Sequence, residues 1–304
     1  MESSAGQPLR QDGRRTRVTV GHIRDMARRG ERIAVLTAYD YPSARLLDAA
    51  GVEIVLVGDS LGNTVLGYTS TLPVTMDEMI HHTAAVVRGV TSALVVGDMP
   101  FMSYQASEEE AIRNAGRFLK ETGCQAVKLE GGRVVAPLIQ KLVDHGIPVM
   151  AHVGLTPQSV HQFGGYRIQG RTAKQAEALL ADALAVEEAG AFSVVLELVA
   201  APVARVISDR LEIPTIGIGA GPHCDGQVLV FHDMLGIDPG YQPRHAKRYA
   251  EVGQTILEAV RAYVDDVHGA AFPTEAESFA MASGQENELE GLTAHPHETI
   301  IPRT

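Results

Sequence analysis

Two aspartates end apolar, β-branched runs of the chain, and each of them directly follows a glycine. Asp59 closes the run VEIVLVGD, and Asp98 closes the run SALVVGD. A hard cation such as Mg²⁺ prefers one or two carboxylates, with water and substrate oxygens as its remaining ligands. An aspartate in this position could instead cap the helix that follows. Two of them in one context, with Glu130 ending the next run, favour a magnesium site.

A cation and a carboxylate lie two residues apart in the run QAVKLEGG. Lys128 and Glu130 therefore point to the same side of a strand, and the glycines after them allow a sharp turn. If that side faces the interior of the fold, the pair lies beside the proposed metal. An inward charge is costly unless it is paired, so a structural Lys–Glu ion pair is the alternative.

Glu197 lies inside the apolar run VVLELV. Desolvation raises the pKa of a carboxyl from near 4 toward the neutral range that a general base needs. A glutamate held as scaffold by an arginine is the alternative. His152, which ends the run IPVMAH, could orient a substrate oxygen or a carboxylate, or it could be a satisfied core histidine.

Eight runs of this kind alternate with segments of helical spacing, and none is as long as a membrane span. Such alternation is typical of a (β/α)₈ TIM barrel, whose carboxyl-terminal rim gathers the strand-end residues into one site. A doubly wound open sheet is the alternative. The eight runs are RIAVLTAYD, VEIVLVGD, SALVVGDMP, QAVKLEGG, IPVMAHVG, FSVVLELV, IPTIGIGAG and QVLVFHDML. The helical segments between them include Asp77–Gly89, Ser107–Gly123, Ala173–Gly190 and Val203–Leu211.

The two ends differ from the central region in composition. Residues 18–272 have the size of one barrel domain of about 250 residues. Residues 1–17 are polar and predict a disordered arm. Residues 273–304 are acidic, and we expect this tail to be mobile or to lie on the surface.

The overall composition restricts the class of function. A net charge of −11 disfavours nucleic acid and anionic membranes as partners. Cys124 and Cys224 lack the paired spacing of a zinc site and fit a reducing compartment. No apolar stretch follows the basic residues near the start, as a secretory signal would require. We therefore predict a cytoplasmic protein that acts on small molecules, with no nucleic acid and no membrane partner.

A glycine-rich segment supports a rival class of function. TIGIGAG resembles the turn that binds phosphate on strand seven of many barrels. Glycines in that position also serve close packing. A non-catalytic barrel that binds a phosphate would need neither Glu197 nor the aspartate pair.

A longer series of motifs resembles the ketopantoate hydroxymethyltransferase family. The resemblance runs from about Val20 to Phe272, with the motifs in the family's order. One departure is Leu198, where the family is expected to carry cysteine, although Glu197 beside it is retained. The motifs are LTAYDY, VGDSLG, TLPVTMDEM, HTAAVVRG, DMPFMSY, VKLEGG, GLTPQSV, FGGYRIQGR, IGIGAG and DGQVLVFHDMLG.

The resemblance implies an activity and a set of roles. The family's barrel is of the phosphoenolpyruvate/pyruvate-like type. Its reaction transfers a hydroxymethyl group from 5,10-methylenetetrahydrofolate to 3-methyl-2-oxobutanoate, by way of an enolate stabilised by Mg²⁺. The product is 2-dehydropantoate (ketopantoate), in pantothenate and coenzyme A biosynthesis. The implied roles are Asp59 and Asp98 as ligands of Mg²⁺ and of the oxo acid, Glu130 as a further metal ligand, Ser60 and Lys128 as substrate-binding residues, and Glu197 as the base.

Two further expectations accompany the resemblance. The family forms homo-oligomers, and a decamer is expected. A Mg²⁺-dependent carbon–carbon lyase of the isocitrate-lyase or phosphoenolpyruvate-mutase type would share the barrel and the metal. Those enzymes usually carry a loop cysteine or acid that this sequence lacks, so the lyase stays the alternative function.

Overall fold

Eight parallel strands form a closed barrel in chain order. The computed structural model describes residues 15–240 and 242–285. The first strand pairs in parallel with the eighth, which closes the sheet. This confirms the (β/α)₈ barrel, so the prediction of a doubly wound sheet as an alternative is wrong. The strands are β1 Ile33–Thr37, β2 Ile54–Val57, β3 Leu94–Asp98, β4 Ala126–Glu130, β5 Val149–Gly154, β6 Ser193–Glu197, β7 Thr215–Ile218 and β8 Gly226–Leu229.

Helices follow the strands along the chain. The α-helices are α1 Val20–Arg28, α2 Tyr41–Ala50, α3 Leu61–Thr64, α4 Met76–Gly89, α5 Glu108–Arg117, α6 Ala136–Asp144, α7 Val160–Phe163, α8 Ala173–Glu188, α9 Ala201–Ser208, α10 Phe231–Leu235 and α11 Val252–His268. A π-turn at Phe118–Thr122 continues α5, and 3₁₀ turns lie at Pro157–Ser159 and Glu275–Glu277.

The helix starts follow from local capping. The Ser107 side chain accepts a hydrogen bond from the Glu110 N–H, and acids fill the first turn of α5. Several predicted helix bounds differ from the structure, and two of the differences have a clear local cause. The segment that starts at Ser107 ends in a π-turn, and α9 begins at Ala201 instead of Val203 because Pro202 suits the first turn of a helix.

The alternation of side chains along β4 decides which residues enter the barrel. Ala126 belongs to the apolar cluster inside the barrel, whereas Val127 and Leu129 belong to the cluster between the strands and the outer helices. Lys128 and Glu130 share the parity of Ala126 and therefore face inward. The same parity places His152 with Met150 on β5, and Glu197 with Val195 on β6.

The amino end of the barrel is covered by α1 and the residue before it. Ile23 and Met26 of α1, together with Val18, belong to the apolar cluster that fills the barrel interior. That cluster also contains Ile33 and Ile54, which begin β1 and β2. The interior is thus packed with side chains from the amino end upward, and polar residues occupy the opposite end.

The ends of the chain differ in part from the expected division. Arg15 donates hydrogen bonds to the backbone carbonyls of Asp48 and Gly51, so this residue of the expected arm is docked on the barrel. The structure divides into units 1–251 and 252–304, and the predicted domain end at 272 stays untested. Residues 273–285 of the expected tail are exposed. The rest of the arm (1–14) and of the tail (286–304) lies outside the described residues.

Among residues 15–240 and 242–285, no helix is long and apolar enough to cross a membrane.

Gly97 lets an outer aromatic ring reach the strand that carries Asp98. A Cβ at Gly97 would lie 2.4 Å from the Phe118 ring. Phe118 is fully buried and begins the π-turn after α5. The π-turn and the missing side chain together allow the close approach of helix and strand.

We expect Gly97→Ala to lower the free energy of unfolding by about 1–3 kcal/mol, because Phe118 must move. The control is Gly116→Ala on α5, where an added Cβ meets nothing within 4 Å. That variant should gain roughly 0.5–1 kcal/mol from the better helix propensity of alanine. Urea unfolding of both variants measures the difference. Equal stability of Gly97→Ala and wild type would contradict the packing argument.

Candidate active site

All seven residues that the sequence singles out for chemistry line one cavity at the carboxyl ends of the strands. The cavity has a volume of about 1120 Å³. Strand register explains their proximity, since Asp98 is the lateral partner of Lys128, and Glu130 is the partner of His152. The seven residues are Asp59, Ser60, Asp98, Lys128, Glu130, His152 and Glu197.

Lys128 and Asp98, which both line this cavity, form a buried ion pair. Lys128 Nζ lies 2.7 Å and 2.8 Å from the two carboxylate oxygens of Asp98. The Asp59 N–H also donates to Asp98 Oδ2 at 3.1 Å. Burial raises the pKa of Asp98, and the Lys128 charge partly offsets that effect. Burial alone would lower the pKa of Lys128, but the nearby carboxylates of Asp98, Glu130 and Asp59 outweigh it and raise that pKa.

Glu130 is a buried carboxyl, and only one of its two oxygens accepts a hydrogen bond within the described residues. Its Oε2 accepts a hydrogen bond from the Gln158 N–H at 3.0 Å. Its Oε1 is buried and has no hydrogen-bond partner among the described residues, and Lys128 Nζ lies 3.9 Å away. Burial raises the pKa of Glu130 well above its usual value; Lys128 opposes this, and Asp59 and Asp98 add to it. An additional cation at this position would favour the ionised form.

His152 lies between two carboxyls. Its Nδ1 is 3.6 Å from Glu130 Oε1, and its Nε2 is 3.4 Å from Glu197 Oε2. Neither ring nitrogen has a hydrogen-bond partner among the described residues. Burial, and then the Lys128 charge, lower the pKa of His152 well below its usual value. The imidazole is therefore neutral and has the capacity to exchange hydrogen bonds with both carboxyls or with a ligand.

Glu197 ends β6 and faces the same cavity. Burial raises its pKa to about 8, against the opposing attraction of Lys128. Gly154, its partner on β5, makes room for it, since a Cβ there would lie 2.4 Å from the Glu197 carbonyl oxygen. A carboxyl with this pKa can hold and release a proton near neutral pH.

The residue after Glu197 has an uncommon backbone conformation. Leu198 adopts φ of 44°, in the left-handed region. Its N–H donates to the Ile218 carbonyl, and its own carbonyl accepts from the Gln169 N–H. A Cβ at Gly219 would lie 2.6 Å from Leu198 Cδ2. This glycine of TIGIGAG therefore serves close packing around the turn that carries Glu197, which supports the packing interpretation of the motif.

Three polar residues of the site have no role in the sequence analysis. The Tyr39 and Ser60 hydroxyls are 2.8 Å apart, so Tyr39 orients Ser60. Gln158 contacts both Asp59 and Glu130, and Tyr104 contacts Gln158. Gln158 lies in the motif GLTPQSV and Tyr104 in DMPFMSY, which was the only signal that could have found them.

The donor set fits an open site for a hard cation. Among the described residues, no three His, Cys, Asp or Glu side chains converge as they would in a closed metal site. Mg²⁺ needs only one or two carboxylates, because water and substrate oxygens complete its shell. Asp59, Asp98, Glu130 and Glu197 share the cavity with one buried ammonium, that of Lys128, and Glu130 Oε1 has no hydrogen-bond partner among the described residues. A divalent cation would balance that excess of negative charge.

Several solved structures share the fold. Phosphonopyruvate hydrolase in complex with oxalate and Mg²⁺ matches with a TM-score of 0.57 and 11% identity, over 91% of this chain and 96% of that chain. 2,3-Dimethylmalate lyase, a member of the phosphoenolpyruvate mutase/isocitrate lyase superfamily, matches with a TM-score of 0.56 and 17% identity, over 90% and 95%. At these identities the likeness shows the barrel fold alone, and it agrees with the expected (β/α)₈ barrel.

The sequence relatives identify the family to which this barrel belongs. The family model for ketopantoate hydroxymethyltransferase matches residues 17–275. The 3-methyl-2-oxobutanoate hydroxymethyltransferase of Carboxydothermus hydrogenoformans is 58% identical over 266 residues, which cover 88% of this chain and 96% of that protein. The enzyme of the same name from Syntrophus aciditrophicus is 57% identical over 263 residues, or 86% and 97%. The chain therefore belongs to the ketopantoate hydroxymethyltransferase family, which confirms the resemblance.

We expect Glu197→Gln to stabilise the protein at alkaline pH but not at acid pH. Because the folded-state pKa is raised from 4.5 to about 8, wild type loses stability as pH rises from about 4.5 through 8. The glutamine variant has no such titration. The difference in free energy of unfolding between variant and wild type should therefore shift in favour of the variant by roughly 2–4 kcal/mol between pH 5 and pH 9. Urea unfolding without added metal at both pH values measures it.

Glu188→Gln on the exposed face of α8 is the matched control and should show no such trend. A constant difference between Glu197→Gln and wild type across this range would mean that the Glu197 pKa is not raised.

Proposed function

We propose that this chain is a 3-methyl-2-oxobutanoate hydroxymethyltransferase, which adds a hydroxymethyl group from 5,10-methylenetetrahydrofolate to C3 of the oxo acid. The observation that carries the proposal is the pairing of a carboxyl of raised pKa, Glu197, with the Lys128–Asp98 ion pair in one cavity. The relatives, at 58% and 57% identity, bear the name of this activity. The lyase alternative is supported by the fold likeness alone.

The proposed chemistry begins with removal of the C3 proton. Glu197 takes this proton, and the oxo and carboxylate groups of the substrate lie toward Lys128, whose ammonium neutralises developing negative charge. The Ser60 hydroxyl, oriented by Tyr39, donates to a substrate oxygen. Asp59, Asp98 and Glu130 would hold Mg²⁺, which supplies Lewis-acid stabilisation of negative charge on the oxo group. Water releases the one-carbon unit of the folate as formaldehyde, with cleavage of both carbon–nitrogen bonds, and the two hydrogens of that water remain on the nitrogens of tetrahydrofolate. The nucleophilic C3 then attacks the formaldehyde carbon, and the alkoxide that forms takes the proton held by Glu197.

The size and rim of the cavity support a second, larger substrate. Its volume of about 1120 Å³ far exceeds the room that an oxo acid of eight heavy atoms requires. Tyr166 and Ile168 line the cavity with more than half of each side chain exposed, and offer an aromatic and an apolar surface for a pteridine ring. Arg244 lines the same cavity and offers a cation for the glutamate carboxylates of a folate.

The decisive test is exchange of the C3 hydrogen of 3-methyl-2-oxobutanoate in deuterated water, with Mg²⁺ and without folate. Wild type should exchange it. Glu197→Gln should exchange it about 10²–10⁴-fold more slowly, because glutamine keeps the shape but accepts no proton. Binding of the oxo acid, measured by calorimetry, should persist in the variant.

Three results would overturn parts of the proposal. Undiminished exchange in Glu197→Gln would assign the base elsewhere, with His152 as the next candidate. Wild-type turnover in both Asp59→Ala and Asp98→Ala would refute the metal assignment. Cleavage of a substituted malate without hydroxymethyl transfer would favour the lyase.

The proposal includes a cytoplasmic homo-oligomer, with a decamer as the expected form. Cys124 and Cys224 are buried free thiols, in keeping with a reducing compartment. Apolar side chains recur at helical spacing along α11 and remain exposed in the single chain. They are Ile256, Val260, Tyr263, Val264 and Val267, each at least 40% exposed. An apolar stripe of this length on a helix marks a surface for protein association.

We expect Val260→Asp to reduce the mass of the assembly, because a charge in the centre of this stripe would be desolvated on association. Light scattering coupled to size exclusion measures the mass over a range of concentrations. Arg261→Gln, the next residue on the helix, is the control and should leave the mass unchanged. An unaltered mass for Val260→Asp would show that subunits do not meet through α11.

A further inference from the structure

Gln158 is a neutral side chain at the centre of the acidic site. It lies in the 3₁₀ turn Pro157–Ser159 after β5, and only 5% of it is exposed. Its backbone and side chain make five hydrogen bonds at the carboxyl-terminal rim. The partners are Asp59 after β2, Met99, Tyr104 and Gln105 after β3, and Glu130 at the end of β4. A buried amide that is fully paired stabilises one geometry, and it is costly when a partner is lost.

The amide of Gln158 has only one orientation that satisfies its neighbours. Its Nε2 donates to Asp59 Oδ2 at 3.0 Å and to the Met99 carbonyl at 2.9 Å. Its Oε1 accepts from the Tyr104 hydroxyl at 2.7 Å and from Gln105 Nε2 at 3.4 Å. The Asp59 carboxylate and the Met99 carbonyl can only accept hydrogen bonds, so a flipped amide would set its oxygen against both of them.

The backbone of the same residue fixes a second carboxylate. The Gln158 N–H donates to Glu130 Oε2 at 3.0 Å. One residue thus binds one oxygen of Asp59 and one oxygen of Glu130. Glu130 Oε1 and Asp59 Oδ1 receive no hydrogen bond from any residue in the described parts of the chain.

We infer that Gln158 is a positioning residue for the cation site, and that it turns one oxygen each of Asp59 and Glu130 toward the bound cation. The inference rests on the proposed function, since it assigns these carboxylates to Mg²⁺. Partners that orient metal ligands in this way typically contribute about 10–100-fold to metal affinity. Tyr104 acts indirectly, through Gln158. Its hydroxyl donates a hydrogen bond to the Gln158 amide oxygen and also contacts the backbone of Glu130.

The chemistry of an amide explains why other side chains would not serve. Glutamate in place of Gln158 would set a carboxylate against Asp59 Oδ2 and the Met99 carbonyl. Methionine has similar length and fills the space, but it donates no hydrogen bond. Gln158→Met therefore removes the bond to Asp59 together with the three other side-chain hydrogen bonds, and it leaves the backbone bond to Glu130 with the least change in packing.

The test is the affinity of the full chain for Mn²⁺, a spectroscopic probe for the Mg²⁺ site, in the presence of 3-methyl-2-oxobutanoate. Electron paramagnetic resonance counts free Mn²⁺ and needs no turnover. We expect Gln158→Met to weaken Mn²⁺ binding about 10–100-fold. Gln162→Met changes an exposed glutamine of the adjoining helix α7; this variant is the control and should bind Mn²⁺ as wild type does.

Tyr104→Phe is the second variant, which keeps the ring and removes only the hydroxyl that donates a hydrogen bond to Gln158 Oε1. It should weaken Mn²⁺ binding by a smaller factor, so the inference stays testable if Gln158→Met does not fold. A melting temperature lowered in either variant with unchanged Mn²⁺ affinity would show a purely structural role and overturn the inference. Absence of Mn²⁺ binding in wild type would instead overturn the proposed metal function.

Discussion

The site depends on the burial of four carboxyls around one ammonium. Asp59, Asp98, Glu130 and Glu197 line the same cavity as Lys128; Asp98 accepts hydrogen bonds from its ammonium, and Glu130 Oε1 lies 3.9 Å from it. Like charges in a poorly solvated space raise one another's pKa values, and a single cation cannot neutralise them all. The arrangement therefore favours the binding of a further cation. It also raises the pKa of Glu197 to about 8, so that both protonation states are accessible near neutral pH. The neutral groups around it, His152 and Gln158, supply hydrogen bonds without adding charge.

Much of this arrangement was predictable from the sequence because it follows from strand parity. The two-residue spacing of Lys128 and Glu130 sets both on the inner face of β4, and the barrel then brings Asp98, His152 and Glu197 to the same rim. Apolar runs with a charge at the end are a local signal. The closure of eight strands turns that local signal into a spatial cluster.

Other parts of the site could not be predicted because they depend on loop conformation. The amide of Gln158 reaches Asp59 across 99 residues of sequence, and no spacing rule connects the two. The hydroxyl pair of Tyr39 and Ser60 joins separate strand ends in the same way. Leu198, in its left-handed conformation, packs against Gly219 of the motif TIGIGAG, for which the sequence left phosphate binding and close packing both open. Element bounds also shifted where a π-turn or a proline altered the helix.

Val18 and α1 cover the amino end of the barrel, and this closure has a kinetic consequence. Because side chains fill the barrel from its amino end, the cavity is closed at that end and opens at the carboxyl-terminal rim. Under the proposed function, the small oxo acid places C3 beside Glu197 below the larger folate, and both ligands use this one route. The acid then enters before the folate, and tetrahydrofolate leaves before the product. On that proposal a folate that arrives first blocks the cavity, so the shape of the barrel favours a compulsory order of binding with substrate inhibition by the folate.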